Sequence, residues 1–270
     1  MIQAPTNIQP LNKSLTDLAS WQAIIDNEPT YKDQIAKAKA TWGKSNSTID
    51  DIKESLRLLS NNTYRCNYCE DSYSDEIEHI YPKNIYPEKT FVWENYVYAC
   101  GPCNGPKSNN FSLIDPNTIQ LLDITPPRRK PPGYIYAKPP LYQIALIDPR
   151  KENPLDYIML DIQDSFYFIS APGNSQEKKL RANFTIDVLR LNDREPLVEG
   201  RKQAYGNYRA RLVEYEQAKL DRKPQVEIDR MIANLKESNH ITVWEEMKRW
   251  NKMIPSLSSL FNRNSEALTW

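Results

Sequence analysis

The chain has 270 residues, 40% of them apolar, which is enough to bury one large core or two modest ones. Charged residues make up 26% with no long single-sign block, which excludes a disordered tail. Thirty-five basic and 35 acidic groups cancel to a net charge of zero, so any contact with nucleic acid needs a local basic surface, a metal or a partner.

Residues 1–10 carry neither a basic n-region nor an apolar h-region, and they do not read as a secretory signal. No apolar run reaches the ~18 residues that span a bilayer. The expectation is a soluble, cytoplasmic protein with no membrane partner. Residues 1–60 form an N-terminal helical region. Tyr31, Ile35, Ala38 and Trp42, then Ile49, Ile52, Leu56 and Leu59, recur near helical spacing. Gly43 and the Ser/Asn cluster up to Thr48 separate two helices, with Ser47 or Thr48 as cap of the second. Residues 61–111 hold the chemistry. Residues 112–180 read as a Pro-rich loop followed by short strands. Thr125 to Gly133 cannot be a helix interior, while Tyr142 to Ile147 and Tyr157 to Ser170 are rich in β-branched and aromatic residues. Helix returns from Lys178 to Leu220, and 181–270 form a C-terminal helical region that includes Ile241 to Trp250. The stripe Tyr205, Tyr208, Leu212, Tyr215 marks a buried helix face. Trp21, Trp93 and Trp244 read as core residues, and His240 as structural, near a helix start. Arg128-Arg129-Lys130 and Lys178-Lys179-Arg181 are basic clusters that either meet phosphate or are simply solvated.

All four cysteines lie between positions 66 and 103, as Cys66-Asn67-Tyr68-Cys69 and Cys100-Gly101-Pro102-Cys103. In a reducing compartment such clustering favours metal over disulfides. Two CxxC turns thirty residues apart can close one tetrahedral all-thiolate zinc site, which would also stabilise a loop-rich segment. Between and after the pairs stand Glu78-His79-Ile80-Tyr81-Pro82-Lys83, Trp93-Glu94-Asn95-Tyr96-Val97 and Asn104-Gly105-Pro106-Lys107.

Taken together, Thr63 to Phe111 resembles the HNH nuclease motif, whose core is a ββα-metal unit. The fold class implied is α+β: a mainly helical chain around a small ββα-metal core braced by the four-cysteine zinc site. The family pattern places its acid and histidine on Glu78 and His79, its loop asparagine on Asn95 and its helix residue on Asn104. Lys107 matches a frequent family lysine. The resemblance implies phosphodiester hydrolysis, with DNA favoured as substrate. His79, the only histidine of the motif, is the general base, since neutral imidazole takes a proton well near pH 7. Glu78 and Asn104 hold a catalytic divalent cation, Mg or Mn, because an amide oxygen in place of a histidine suits a hard ion. Glu78 and His79 are strand neighbours and point to opposite faces, so the shared site needs a local distortion or a reach around the metal. Asn95 orients the imidazole, and Lys107 meets a phosphate. Pro106 is expected in the first turn of the metal-binding helix.

Further on, Leu146-Ile147-Asp148-Pro149, Asn153-Pro154 and Thr185 to Asn192 resemble HNH proteins of bacterial defence systems, among them the nuclease partners of Septu and some retron systems, which accompany an ATPase subunit. That resemblance implies an effector subunit with an ATPase partner. The alternative is a zinc-braced nucleic-acid-binding or assembly module that does not cut; a stand-alone restriction-like enzyme would need a sequence-reading domain, for which there is no motif.

Overall fold

The computed structural model describes residues 1–5, 7–43, 47–60, 64–71 and 73–270. The expected helix break at 43–48 and the start of the motif segment, including Thr63, fall partly outside these residues. Three helices come first: α1 (Asn12–Asp26), α2 (Tyr31–Trp42) and α3 (Ser47–Leu59). The extended Thr30 starts α2 by accepting the Asp33 N–H on its hydroxyl, with the Asp33 carboxylate favourably placed in the first turn. Ser47 and Thr48, the expected caps, lie within α3; Thr48 donates its hydroxyl to Asp17 at 2.7 Å and ties α3 to α1. Leu18, Ile25, Ala38, Ile52, Leu56 and Leu59 recur at helical spacing and close on Phe91, Trp93, Tyr96 and Tyr98. The first core is therefore shared between the N-terminal helices and the motif segment.

That segment is an antiparallel ribbon followed directly by a helix. β1 (Glu76–His79) pairs with β2 (Tyr96–Ala99), with Glu78 opposite Val97 and His79 opposite Tyr96. α4 (Gly101–Lys107) then folds back against β1. Pro102 occupies its first turn, where a missing N–H costs nothing. Pro106 does not: it is the sixth residue of α4, not in the first turn as expected. The helix tolerates it because it ends one residue later, and the Pro106 carbonyl still accepts the Asn110 amide at 2.6 Å.

The start of the 112–180 region, read as a Pro-rich loop, contains a hairpin of β3 (Ser112–Asp115) and β4 (Gln120–Asp123), with β5 (Gln143–Ile144) on the other edge of β3. Every residue of β4 is exposed, so no apolar alternation marks it. The run Tyr157 to Ser170, read as suited to strands, forms two, β6 (Ile158–Leu160) and β7 (Phe168–Ser170). The turn between them is held by the Asp161 carboxylate, which accepts the N–H groups of Gln163, Asp164 and Ser165.

The helical return from Lys178 to Leu220 is likewise divided, into α5 (Gln176–Val188) and α6 (Glu195–Leu220), with Arg190 at φ +52° in the break. α7 (Gln225–Lys236), α8 (Ile241–Trp250) and α9 (Pro255–Arg263) follow. Tyr208, Leu212 and Tyr215 of α6 are buried, with Tyr205 partly so, which is the packing face its spacing predicts. A second core joins Tyr208 and Leu212 of this face and Trp244 of α8 to Leu146, Ile147, Leu113 and the four cysteines. His240 begins α8, buried, in the left-handed conformation, with Nε2 at 3.1 Å from Asp71. Arg181 leaves the basic cluster proposed for phosphate. It is buried, ion-paired to Glu152 at 2.6 Å, and donates to the carbonyls of Ile144 and Leu146, so its charge serves packing.

Candidate metal centre and active site

The two CxxC turns converge because each is part of a larger element. Cys66 to Cys69 is a turn closed by Glu70 N–H on the Cys66 carbonyl and fastened to β2 by Asn67, whose side-chain oxygen accepts Tyr98 N–H and the Ser60 hydroxyl. Cys100 caps α4 and Cys103 sits one turn into it. All four sulfurs are buried and lie within 4.8 Å of one another. Cys69 Sγ and Cys100 Sγ are 3.8 Å apart, far beyond a disulfide bond of ~2.05 Å. A tetrahedron with metal–sulfur bonds of ~2.3 Å has sulfur–sulfur edges of roughly 3.8 Å. The set can therefore hold a zinc ion. Burial pushes the Cys66 thiol well up, whereas hydrogen bonds from Cys103 and Cys66 pull Cys100 down. A dication would favour the thiolate at all four. Arg194 donates to Cys103 Sγ at 3.2 Å and adds cationic support from outside. Ninety-one residues separate the two, and nothing local in the sequence marks Arg194.

A cleft of about 330 Å³ opens beside β1 and α4, lined among others by Glu76, Glu78, His79, Lys83 and Asn104. His79 stands between Trp42 and Tyr96, edge-to-face with both, at centroid distances of 4.3 and 5.2 Å. Its Nε2 lies 3.0 Å from the Thr90 carbonyl. A carbonyl only accepts, so neutral His79 carries its proton on Nε2 and keeps the Nδ1 lone pair for another proton. Burial, reinforced by the Lys83 ammonium, holds the imidazole well below its ordinary pKa and hence neutral at pH 7.

Asn95 makes a three-point clamp. Its Oδ1 accepts Tyr81 N–H at 2.7 Å, and its Nδ2 donates to the carbonyls of Tyr81 (3.0 Å) and Lys89 (2.8 Å). Ile80 N–H donates to the Asn95 carbonyl. The chain leaving β1 after His79 and the chain entering β2 are thus bound to each other at one residue.

Lys107 is placed differently from the phosphate contact expected of it. It is fully buried, ion-paired to Glu78, and donates to the His79 carbonyl at 2.8 Å. Burial raises the Glu78 pKa, and Lys107 and Lys83 oppose that rise. Asn104 donates its amide to Glu76 at 2.6 Å, which leaves its oxygen as a potential ligand. Gly101 lets α4 approach this acid: a Cβ there would stand 3.3 Å from Glu76 Oε1. Glu76 went unmarked in the sequence, although a carboxylate two residues before Glu78 shares its strand face. Lys83 carried no assigned role either.

No family model matches the chain. It is 27% identical over 169 residues to the Septu protein PtuB of Bacillus thuringiensis, a match covering 61% of this chain and 48% of that protein. The matched stretch thus spans about half the length of that relative.

Proposed function

We propose that the chain is a metal-dependent HNH-type endonuclease and the cleaving component of a Septu-type anti-phage defence system. The observation that carries the proposal is one cleft that brings together His79, Glu78 and Asn104, with Asn95 clamping the ends of β1 and β2 and the four cysteines bracing α4. The similarity to PtuB supports the defence setting. In the sequence the Cys, His and Asn positions interleave in the order of the HNH motif.

In this reading His79 Nδ1 removes a proton from the attacking water. The Thr90 carbonyl holds the tautomer and Trp42 holds the ring. Asn95 keeps the chain after β1 in register, so that the imidazole faces the cleft. Glu78 and Asn104 would hold a hard divalent cation, Mg or Mn, through a carboxylate and an amide oxygen; Glu76 is a third oxygen donor in the same cleft. When bound, the cation neutralises charge developing on the phosphate and the leaving oxygen. Lys107 acts by position, pulling β1 onto α4 through the His79 carbonyl. Cys66, Cys69, Cys100 and Cys103 hold a structural zinc. DNA is the favoured substrate, and recognition is shared with an ATPase partner.

The test is plasmid nicking with Mg²⁺ or Mn²⁺, with the partner present. His79→Ala should lose about 10²–10⁴-fold in rate with zinc content and helical signal unchanged. Equal cleavage by both proteins refutes the site. The pairing of Glu78 with Lys107 favours a second reading, a zinc-braced module that binds without cutting, because it neutralises the very carboxylate that would hold the cation. Cleavage by neither protein under any condition supports that module.

A further inference from the structure

The cleft beside His79 continues into a larger space. Asn84, Gly105, Ser108 and Asn109 line both it and a cavity of about 620 Å³ walled by α2 and the Pro-rich segment 125–136. α2 contributes Lys32 and Lys39, seven residues apart and therefore two turns along one face, about 10 Å. The Pro-rich segment contributes Arg128, Lys130 and the ring of Tyr136, which is half-buried; the Lys130 ammonium lies 5.9 Å from that ring. Among the described residues, no aspartate or glutamate lines the cavity. All four cations are exposed, and among the described residues none pairs with a carboxylate. In a chain whose charges cancel overall, this is a local basic surface. At the junction, Asn84 donates to Asn109 at 2.9 Å while its own Oδ1 is buried without a donor.

We propose that this cavity seats a single strand of nucleic acid and leads it to the cleft at His79. Lys32, Lys39, Arg128 and Lys130 meet successive phosphates, and an unpaired base stacks on Tyr136. The spread of the cations along two segments suits a repeating polyanion rather than a lone phosphate group. An aromatic ring among them suits a strand whose bases are free to stack, as duplex bases are not. The destination of the strand rests on the nuclease reading; the binding itself rests only on the residues of the cavity.

Fluorescence anisotropy of labelled oligothymidine, and of a duplex of equal length, tests this on His79→Ala protein across a salt series. Lys39→Glu with Arg128→Glu should weaken single-strand binding about ten-fold or more and flatten the salt dependence, by roughly 0.7 in log–log slope for each phosphate that is no longer neutralised. Tyr136→Ala should weaken the single strand and spare the duplex. Lys252→Glu, at an exposed position that does not line the cavity, is the control and should change nothing. Unchanged affinity in the charge-reversed protein, or no single-strand binding by the parent, overturns the proposal. Tighter duplex binding that is insensitive to Tyr136 overturns the single-strand assignment. Cavity-dependent binding by a wild type that never cuts would sink the nuclease reading and leave this one standing; cleavage unaffected by the cavity variants would do the reverse.

Discussion

Asn95 is the residue whose role is most open to a clean measurement. Its three side-chain bonds join Tyr81, two residues after His79, to Lys89 at the end of a short 3-10 turn before β2. Asn95→Ala removes all three and leaves a buried amide and two carbonyls to find other partners, at about 1–3 kcal/mol each where none is found. The expected outcome is a turnover loss of about 10²-fold, as the imidazole loses its alignment, with Mg²⁺ affinity nearly intact. Titration of Mg²⁺ against turnover checks this, and a large rise in the Mg²⁺ requirement with the fold preserved would make Asn95 a ligand instead. In the sequence, Asn95 is singled out by its place in the resembled motif. The buried role of Lys107 is not legible there, because a lysine in sequence looks alike whether its ammonium meets solvent or Glu78.

At the scale of elements, α4 depends on the cysteines. A seven-residue helix containing two prolines is far below the length at which an isolated helix is stable. Its position comes from Cys100 and Cys103, from Lys107 and from packing on β1. Metal analysis should find about one zinc per chain, and chelation should lower the melting temperature sharply. A zinc-free protein that melts at the same temperature would contradict this. α8 makes a second case. Glu246 is fully buried, near Arg249, and burial pushes its carboxyl up from 4.5 to about 7. The unfolded chain releases this proton from about pH 4.5 upward, whereas the folded chain keeps it until about 7. This contribution to stability is therefore complete below 4.5 and lost as pH rises to 7, on the order of 3 kcal/mol. Glu246→Gln should flatten that part of the stability–pH curve and stabilise the protein above pH 7, as denaturant midpoints at pH 5 and 8 would reveal. An unchanged difference between the two midpoints would remove Glu246 as its source.

Across the whole molecule, the ribbon and α4 are embedded between two cores: the N-terminal helices cover one side through Phe91, Trp93 and Tyr96, and the C-terminal helices meet the cysteines on the other. The ribbon-and-helix segment is therefore unsuited to independent folding, and the rest of the chain serves to hold it. Zero net charge and the lack of a reading motif argue for shared recognition. On the proposed reading, co-expression with a candidate ATPase subunit should give a complex that survives size-exclusion chromatography and cuts more specifically than the chain alone. Efficient cutting of a defined sequence by the isolated chain would leave the partner without purpose.

The sequence by itself determined what depends on local spacing. The CxxC pairs present sulfurs in turns and the stripe on α6 predicted a buried face, whereas a ribbon-and-helix unit around His79, Asn95 and Asn104 was implied only by the family resemblance. The tertiary structure alone decided what depends on long-range approach. Arg194 reaches Cys103, Glu76 meets Asn104, Trp42 packs edge-to-face on His79, and Lys107 is buried under Glu78. It also decided where the chain breaks, at the Asp161 turn and at Arg190, because a turn residue outweighs the propensity of its neighbours only once packing on either side rewards the bend. Periodicity records which face of an element is apolar. Which charged group that face will meet is settled only when distant segments compete for the same buried space.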